Sequence, residues 1–316
     1  MTQAPLFSVL GCGVAGLCVA TALAERGLPV ELIAPADAPP PASHLAGGML
    51  APFCEGESAP DTVVRLGQGA LDWWAVRVPG VVRRGTLVIA PARDGAELDR
   101  FARVTTGHAP TDPGTLEPDL AGRFARSLFF PSEGHMDPRT ALATLAETLR
   151  ARGIPRRDGQ PRGRIIDCRG LAARDRLADL RAVRGEMLGL RAPDVTLTRV
   201  VRLLHPRFPC YIVPRGQGRY MIGATMIESA RPGPITARAV MELLSAAYTV
   251  HPGFAEAEVI ETGAGLRPAF ADNIPAIRRT GDRIHLNGMY RHGFLTAPIL
   301  AERLAAALAT EPHHAD

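Results

Sequence analysis

Lysine is missing from this 316-residue chain, so all 36 basic side chains behind its net charge of +4 are arginines. Its absence excludes chemistry that requires a lysine amine, such as a pyridoxal Schiff base or a P-loop. Arginines cluster between residues 150 and 184, but no aromatic residues alternate with them. Because single-stranded nucleic acids usually stack on aromatic rings, we interpret this segment as a solvated surface and expect no nucleic-acid partner.

Cysteines and long apolar runs are also scarce. The five cysteines have no C-x-x-C spacing, which suggests neither a disulfide framework nor a zinc site, and we expect no metal. No apolar run approaches the length of a membrane span. Residues 1–10 lack the basic start and long apolar core of a signal peptide. We therefore expect a cytoplasmic protein without membrane contact, built from about two domains.

A glycine-rich turn opens the chain. The apolar residues 6–10 lead into Gly11-Cys12-Gly13-Val14-Ala15-Gly16, and a helical pattern follows at once. In a dinucleotide-binding βαβ unit, Gly11 permits the tight turn, Gly13 lets the backbone approach a pyrophosphate, and Gly16 lets the helix pack on the sheet. The helix N-terminus would then offer free N–H groups to the phosphates.

One part of this dinucleotide motif is missing. Residues 30–33 predict the second parallel strand, which usually ends in an acidic residue that holds the ribose hydroxyls. Here Ala34 stands at that position, and Asp37 comes slightly later. The pattern argues against tight NAD binding and leaves the adenosine contact unassigned.

Further along, apolar patterns alternate between helical and extended periods. We predict helices at 66–76, 140–152, 235–248 and 294–307, and strands at 85–90, 128–131, 165–170, 184–190, 210–214, 219–226, 261–270 and 284–288. The strands around residues 215–218 form a hairpin signal with glycines in the turn.

Several segments occur together in an order typical of one family. They are the glycine loop, Ala46-Gly47-Gly48-Met49-Leu50-Ala51-Pro52, Arg184-Gly185-Glu186, Tyr211-Ile212-Val213-Pro214-Arg215, Gly223-Ala224-Thr225-Met226, Gly265-Leu266-Arg267-Pro268 and Gly288-Met289-Tyr290-Arg291-His292-Gly293. The chain resembles the FAD-dependent D-amino-acid oxidase family over nearly its whole length. Within that family it is most similar to the glycine oxidases of thiamine biosynthesis.

The resemblance implies an α/β fold. A Rossmann-like FAD-binding domain (1–80, 132–180 and 260–316) would be interleaved with a substrate domain (81–131 and 181–259). The substrate domain would be a mostly antiparallel sheet with helices.

The resemblance also implies a site. A substrate carboxylate requires a cationic fork, which the planar guanidinium of arginine supplies. Arg267 would be this clamp, Tyr211 would donate its hydroxyl to the same carboxylate, and Arg291, Met49 and Met226 would line the pocket. The implied cofactor contacts are Gly11, Gly13, Val14, Ala15, Gly16, Ala34, Ser43, Gly47, Gly48, Met49, Met289, Tyr290, Arg291, His292, Gly293, Phe294 and Leu295.

The chemistry implied is oxidation of glycine, or another small amine, by non-covalent FAD. Hydride would leave Cα for the flavin without an acid or base residue, giving an imine. Dioxygen would give hydrogen peroxide, and the imine would hydrolyse to glyoxylate or pass to thiazole synthase. A homo-oligomer is compatible with the family. Two alternatives remain open: an oxidase or dehydrogenase for sarcosine, D-alanine or D-proline, and a flavin-fold protein without catalytic activity.

Three features depart from the family pattern. His292 stands where the family usually has asparagine, Met289 stands where it often has a polar residue, and residues 153–164 are short. The last change predicts that most of the β structure over the adenine side of FAD is lost.

Overall fold

The computed structural model describes residues 5–311. Its α-helices are α1 (Val14–Glu25), α2 (Pro52–Glu55), α3 (Asp61–Gly67), α4 (Ala70–Ala75), α5 (Gly95–Val104), α6 (Pro113–Leu116), α7 (Pro138–Ala151), α8 (Ala237–Val250) and α9 (Gly293–Thr310). Its strands are β1 (Phe7–Leu10), β2 (Val30–Ile33), β3 (Met49–Leu50), β4 (Thr86–Ile89), β5 (Ala109–Thr111), β6 (Ser127–Phe130), β7 (Gly134–His135), β8 (Arg156–Arg157), β9 (Arg164–Asp167), β10 (Arg181–Arg191), β11 (Val200–Leu203), β12 (Cys210–Pro214), β13 (Arg219–Gly223), β14 (Glu258–Ala269), β15 (Ala276–Thr280) and β16 (Arg283–Asn287).

The first sheet has the strand order β15-β16-β9-β1-β2-β8. All its neighbouring strands are parallel except β15 and β16. The chain runs from β1 through α1 to β2 on one side, and returns later as β9 on the other side of β1. The strand order therefore reverses at β1, and open α/β sheets bind their ligands at the carboxyl ends beside such a reversal. The predicted Rossmann-like part is confirmed.

The second sheet has the order β14-β10-β13-β12-β11-β4-β6-β5 and is antiparallel except between β11 and β4. This confirms the mostly antiparallel partner sheet. The predicted division placed residues 260–316 with the first sheet, but β14 pairs with β10 along its whole length, from Arg181 opposite Ala269 to Arg191 opposite Glu258. A division by sheets would thus start that last segment after Ala269. Residues 1–4 and 312–316 of the predicted domains lie outside the described range.

Most predicted elements are confirmed within a few residues. The predicted helix 66–76 is wrong in detail, because the chain forms α3 and α4 with a break between them. A Cβ on Gly67 would lie 3.0 Å from the Pro52 side chain, and one on Gly69 would lie 3.1 Å from Ile299. Both glycines thus allow close packing where the two short helices meet. The hairpin turn between β12 and β13 uses Gly216 and Gly218 at φ 75° and 66°.

Helix α9 joins the parts of the first hydrophobic core. Ten of its residues are buried, and the indole N–H of Trp74 on α4 donates to the Phe294 carbonyl at 2.8 Å. Within residues 5–311, this is the one helix that could cross a membrane by length and composition, although the sequence predicted no membrane span. Because 56% of it is buried inside the protein, its apolar character is that of a core helix.

Candidate functional site

Two connected cavities lie where the sheets meet. A cleft of about 1080 Å³ runs along the carboxyl ends of the first sheet. A pocket of about 90 Å³ opens from it towards the second sheet. Tyr211, Arg267 and Arg291 border both cavities, so a ligand in the pocket would meet one in the cleft at these side chains.

The glycine loop forms one wall of the cleft. Gly11 has φ 98°, a conformation that L side chains rarely adopt, and a Cβ there would lie 2.8 Å from the Cys168 carbonyl oxygen. Helix α1 begins behind the loop without an acidic residue in its first turn. The Val14 N–H donates to Ser43 Oγ at 3.2 Å, which brings the Ser43 hydroxyl to the start of the helix. This end of α1 suits an anion such as a pyrophosphate.

The structure brings most predicted cofactor contacts together. Those that line the cleft are Gly11, Gly13, Val14, Ala15, Ala34, Ser43, Gly47, Met289, Tyr290, Arg291, Gly293 and Phe294. Gly48, Met49 and Leu295 line the pocket instead. Gly16 and His292 line neither cavity. Gly16 packs against the loop from behind, and His292 is buried beside Glu55.

The adjacent glycines Gly47 and Gly48 make close contacts within the protein. A Cβ on Gly47 would lie 2.7 Å from the Tyr211 ring, and one on Gly223 would lie 2.8 Å from the same ring. Gly48 has φ 69°, and a Cβ there would lie 2.2 Å from the Met136 carbonyl oxygen. The Gly47-Gly48 pair therefore seats Tyr211 and makes a tight turn, in addition to bordering the cavities.

Four further arginines line the cleft, and three of them belong to the cluster at residues 150–184 that was interpreted as a solvated surface. Arg156, Arg169, Arg176 and Arg283 line it. Arg156 belongs to β8, the short strand that remains of the segment expected to be lost, and its Nε donates to the Ala34 carbonyl at 3.2 Å. A volume of about 1080 Å³, the open helix N-terminus and these cations fit a dinucleotide with two phosphates.

The β8 segment is fixed on the sheet by Glu31 of β2. Burial opposes ionisation of Glu31, but hydrogen bonds from Ser8, Arg162 and Arg157 outweigh it and hold the pKa of the carboxyl at about 2. The Arg157 contact is 2.6 Å and the Arg162 contact 2.7 Å. Arg156 is therefore held beside Ala34, where the acidic residue of the dinucleotide motif is missing.

Arg156→Ala is expected to weaken FAD binding about tenfold. A guanidinium can stack on an adenine ring and bond ribose or phosphate oxygens, and one charged hydrogen bond contributes roughly 1.5–3 kcal/mol. The measurement is the dissociation constant of FAD from apoprotein, followed by quenching of flavin fluorescence. Arg174→Ala is the matched control, since Arg174 is exposed and does not border the cleft. Equal affinities in both variants would show that Arg156 does not hold the cofactor.

Arg267 enters the pocket from β14. Its Nη1 donates to the Thr225 carbonyl at 3.1 Å, and burial lowers the pKa of the guanidinium. On β10, Arg267 is opposite Val183, and its side chain extends over Gly185, where a Cβ would lie only 2.0 Å from Arg267 Nη2. The Arg184-Gly185-Glu186 motif therefore leaves the space that Arg267 occupies.

Tyr211 reaches the same pocket from β12. Burial raises the pKa of its hydroxyl, so the group stays protonated and can donate a hydrogen bond at neutral pH. The predicted pair of Tyr211 and Arg267 thus shares one pocket.

Arg291 is already engaged within the protein. Its Nη2 lies 2.8 Å from Glu55 Oε2 and donates to Ser58 Oγ at 2.5 Å, and its Nη1 lies 3.1 Å from the Met226 sulfur. Met49 and Met226 both line the pocket, as predicted, with Met226 48% exposed at its mouth.

Two charged side chains of the pocket were missed as site residues. Glu55, at the end of α2, and Arg202, on β11, both line it. Arg202 is buried and pairs with Glu57 at 2.6 Å. The sequence signal was weak, because Glu55 and Glu57 follow an apolar segment with no motif of their own, and Arg202 lies in an otherwise apolar strand.

His292 gives the protein a measurable pH dependence. Burial lowers the pKa of its imidazole to about 4, whereas the unfolded chain takes up this proton near the ordinary value of about 6.5. Between these values the unfolded state binds more protons, so stability falls as the pH drops through this window. His292→Asn removes this contribution.

Between pH 7 and pH 5, the free energy of unfolding of the parent should fall by about 2 kcal/mol more than that of the variant. Urea titrations at both pH values measure this difference. His135 and Glu133, whose pKa values are also shifted, remain in both proteins and cancel in the comparison. Parallel losses would mean that His292 is not held neutral.

The architecture and the cleft are those of a flavin-dependent redox enzyme, and residues 7–307 match the family of FAD dependent oxidoreductases. The chain belongs to this family and is a FAD-dependent oxidoreductase. It is 54% identical, over 314 residues and 96% of each chain, to the putative thiamine biosynthesis oxidoreductase ThiO of Rhizobium etli. This confirms the resemblance inferred from the sequence.

Two further similarities bear on the whole chain. It is 25% identical over 338 residues to the bifunctional protein ThiO/ThiG of Nostoc sp., with 94% of this chain and 51% of that protein covered. The crystal structure of glycine oxidase from Geobacillus kaustophilus superposes with a TM-score of 0.80 at 22% identity, covering 100% of this chain and 97% of that one. The structural likeness shows a common fold.

Proposed function

We propose that this enzyme oxidises the amine of a small amino acid, glycine in the first place, with non-covalently bound FAD. The product is an imine that hydrolyses to glyoxylate, and dioxygen is the final acceptor, which gives hydrogen peroxide. When bound in the cleft, FAD supplies the acceptor for the hydride that leaves Cα. The residues of the chain bind and orient the substrate and exclude water.

The unpaired charge of Arg267 carries this proposal. Of the three arginines that line the pocket, Arg202 lies within 2.6 Å of Glu57 and Arg291 within 2.8 Å of Glu55. Across residues 5–311, no carboxylate lies within 4 Å of Arg267, whose Nη1 contacts only backbone carbonyls. A buried guanidinium without an anion is costly unless a ligand supplies one, and a substrate carboxylate does so with two parallel bonds.

The size of the pocket supports a small substrate. A cavity needs about 10–15 Å³ to hold one water molecule, so about 90 Å³ accommodates only a few heavy atoms. Glycine and sarcosine fit this limit better than amino acids with larger side chains.

The charge of the pocket supports oxidation of the free amine. The three arginines and the two glutamates that pair with them leave at least one net positive charge, because Glu57 is shared with a further arginine, Arg100. A positive site favours the form of the substrate with a neutral amine and an ionised carboxylate, because it opposes the ammonium. The neutral amine is the form that can release a hydride from Cα, and no acid or base residue of the pocket is needed for that step.

The relatives support a role in thiamine biosynthesis. One of them is described as a thiamine biosynthesis oxidoreductase, and in Nostoc a ThiO-like part is joined to ThiG in one chain. On this basis we propose that the imine passes to thiazole synthesis, with thiazole synthase as the receiving partner.

The test uses purified protein. We expect a yellow flavin spectrum, release of all flavin into the supernatant on acid precipitation, and peroxide formation that is fastest with glycine among glycine, sarcosine and D-alanine. Faster turnover of sarcosine or D-alanine would show that glycine is not the preferred substrate. Turnover with an artificial electron acceptor but without peroxide would show that dioxygen is not the final acceptor. A colourless protein that gains no activity with added FAD would overturn the oxidase proposal.

A further inference from the structure

The pocket holds more positive charge than one carboxylate requires, and two carboxylates of the protein cancel the excess. Glu57 neutralises Arg202, which also donates to the Cys54 carbonyl at 3.0 Å. Glu55 neutralises Arg291, and in the described part of the chain it is the one acidic side chain that itself lines the pocket. Glu55 is thus placed to decide how many anionic groups a ligand can carry.

The environment keeps Glu55 ionised. Burial favours its protonated form, but the charges of Arg291, His292 when protonated, Arg202 and Arg267 outweigh this effect and lower the pKa of the carboxyl. His292 is neutral at neutral pH because burial lowers its own pKa to about 4. The full charge of Glu55 therefore opposes that of Arg291.

The backbone around Glu55 is fixed as well. The Cys54 N–H donates to a carboxyl oxygen of Glu133 at 2.7 Å, and the Cys54 carbonyl accepts from Arg202. Burial raises the pKa of Glu133 to about 8, so this second carboxyl adds little negative charge at neutral pH. The backbone beside Glu55 is thus held in place, and helix α2 presents the Glu55 carboxylate to the pocket.

We propose that Glu55 sets the charge selectivity of the site. By occupying Arg291 it leaves Arg267, within residues 5–311, as the one cation of the pocket without a carboxylate partner, so the pocket accepts ligands with one carboxylate and rejects those with a second anionic group. A dianion would place its second charge beside Glu55, and the repulsion between like charges opposes its binding. The inference rests on the proposed function only in that Arg267 is taken to bind the first carboxylate.

The test compares two ligands of the same shape. Malonate carries two carboxylates, whereas malonamate has an amide in place of one of them. Neither contains an oxidisable amine, so their dissociation constants are measured on the flavin-loaded enzyme from changes in the flavin absorption spectrum. The wild-type enzyme is expected to bind malonamate at least about tenfold more tightly than malonate.

Glu55→Gln should reverse this preference, because it frees Arg291 to pair with the second carboxylate. The double variant Glu55→Gln/Arg291→Gln should lose the gained affinity for malonate. Asp99→Asn is the matched control: it also turns the carboxylate of an arginine pair into an amide, but this pair, Asp99 with Arg126, is exposed and does not border the pocket. It should keep the wild-type ratio.

The wild-type comparison needs no variant. Equal binding of the two ligands, or tighter binding of malonate, overturns the role of Glu55 even if Glu55→Gln fails to retain FAD. The role of Glu55 is also overturned if the ratio of the two dissociation constants in Glu55→Gln equals that of the wild type. If neither ligand binds the wild-type enzyme, the carboxylate site at Arg267 is wrong, and the proposed function fails with it. Absence of glycine turnover with normal ligand ratios overturns only the proposed function.

Discussion

Replacing Arg267 with alanine is expected to lower kcat/KM for the amino-acid substrate by at least about 100-fold. No carboxylate of the described residues pairs with this buried guanidinium, and truncating one partner of a buried, hydrogen-bonded charge pair costs about 2–5 kcal/mol. Each 1.4 kcal/mol corresponds to about a factor of ten. Steady-state peroxide release over a range of glycine concentrations measures the loss.

Two further variants separate the clamp from general damage. Arg267→Lys keeps the positive charge but loses the planar fork, so it should recover only part of the lost activity. Arg191→Ala removes an arginine of the same sheet that pairs with Glu258 at the surface, and it should behave like the parent enzyme. Parental kinetics in Arg267→Ala, with FAD retained, would show that the carboxylate binds elsewhere.

The sequence predicted the fold well where local patterns decide it. The glycine loop and the apolar run before it predicted β1 and α1, because a turn with φ 98° requires glycine. Likewise, the apolar pattern of residues 140–152 predicted α7, whose start is capped by Asp137, which accepts from the Arg139 N–H at 2.8 Å. The break between α3 and α4 was missed because it depends on tertiary contacts. Gly67 packs against Pro52 and Gly69 packs against Ile299, and the local sequence pattern does not show these neighbours.

The candidate site was predicted less completely, for a related reason. Resemblance to a family pointed to Arg267 and Tyr211, which the structure brings into one pocket, since both lie in recognisable motifs. Glu55 and Arg202 carry no motif, and their place in the pocket follows from how α2 packs against β11. Whether an arginine is free or already paired depends on three-dimensional neighbours, so the sequence could not show that Arg291 is paired with Glu55.

The glycine loop also determines how closely α1 can pack against β1. A Cβ on Gly16 would lie 1.8 Å from the Gly11 carbonyl oxygen, far inside contact distance, and Gly11 is held in place because its N–H donates to the Ile33 carbonyl at 2.8 Å. An alanine at position 16 must therefore push α1 away from β1. Since α1 also packs on α7 and α9, the displacement would disturb the main hydrophobic core.

We expect Gly16→Ala to lower the free energy of unfolding by about 3 kcal/mol or more and to yield protein without FAD. Urea denaturation and the ratio of flavin to protein absorbance measure the two effects. Gly95→Ala, at the start of α5, has no atom closer than 3.6 Å to its new Cβ and should leave both values unchanged or slightly raise stability.

Gly13→Ala should have an effect between those of Gly16→Ala and Gly95→Ala. Its Cβ would lie 3.3 Å from Ser43 Oγ, so the protein should fold but bind FAD more weakly, because the added methyl stands where the pyrophosphate approaches the backbone. A Gly16→Ala protein with parental stability and full flavin content would mean that α1 can shift freely, and the pyrophosphate would then have to be held mainly by the arginines that line the cleft.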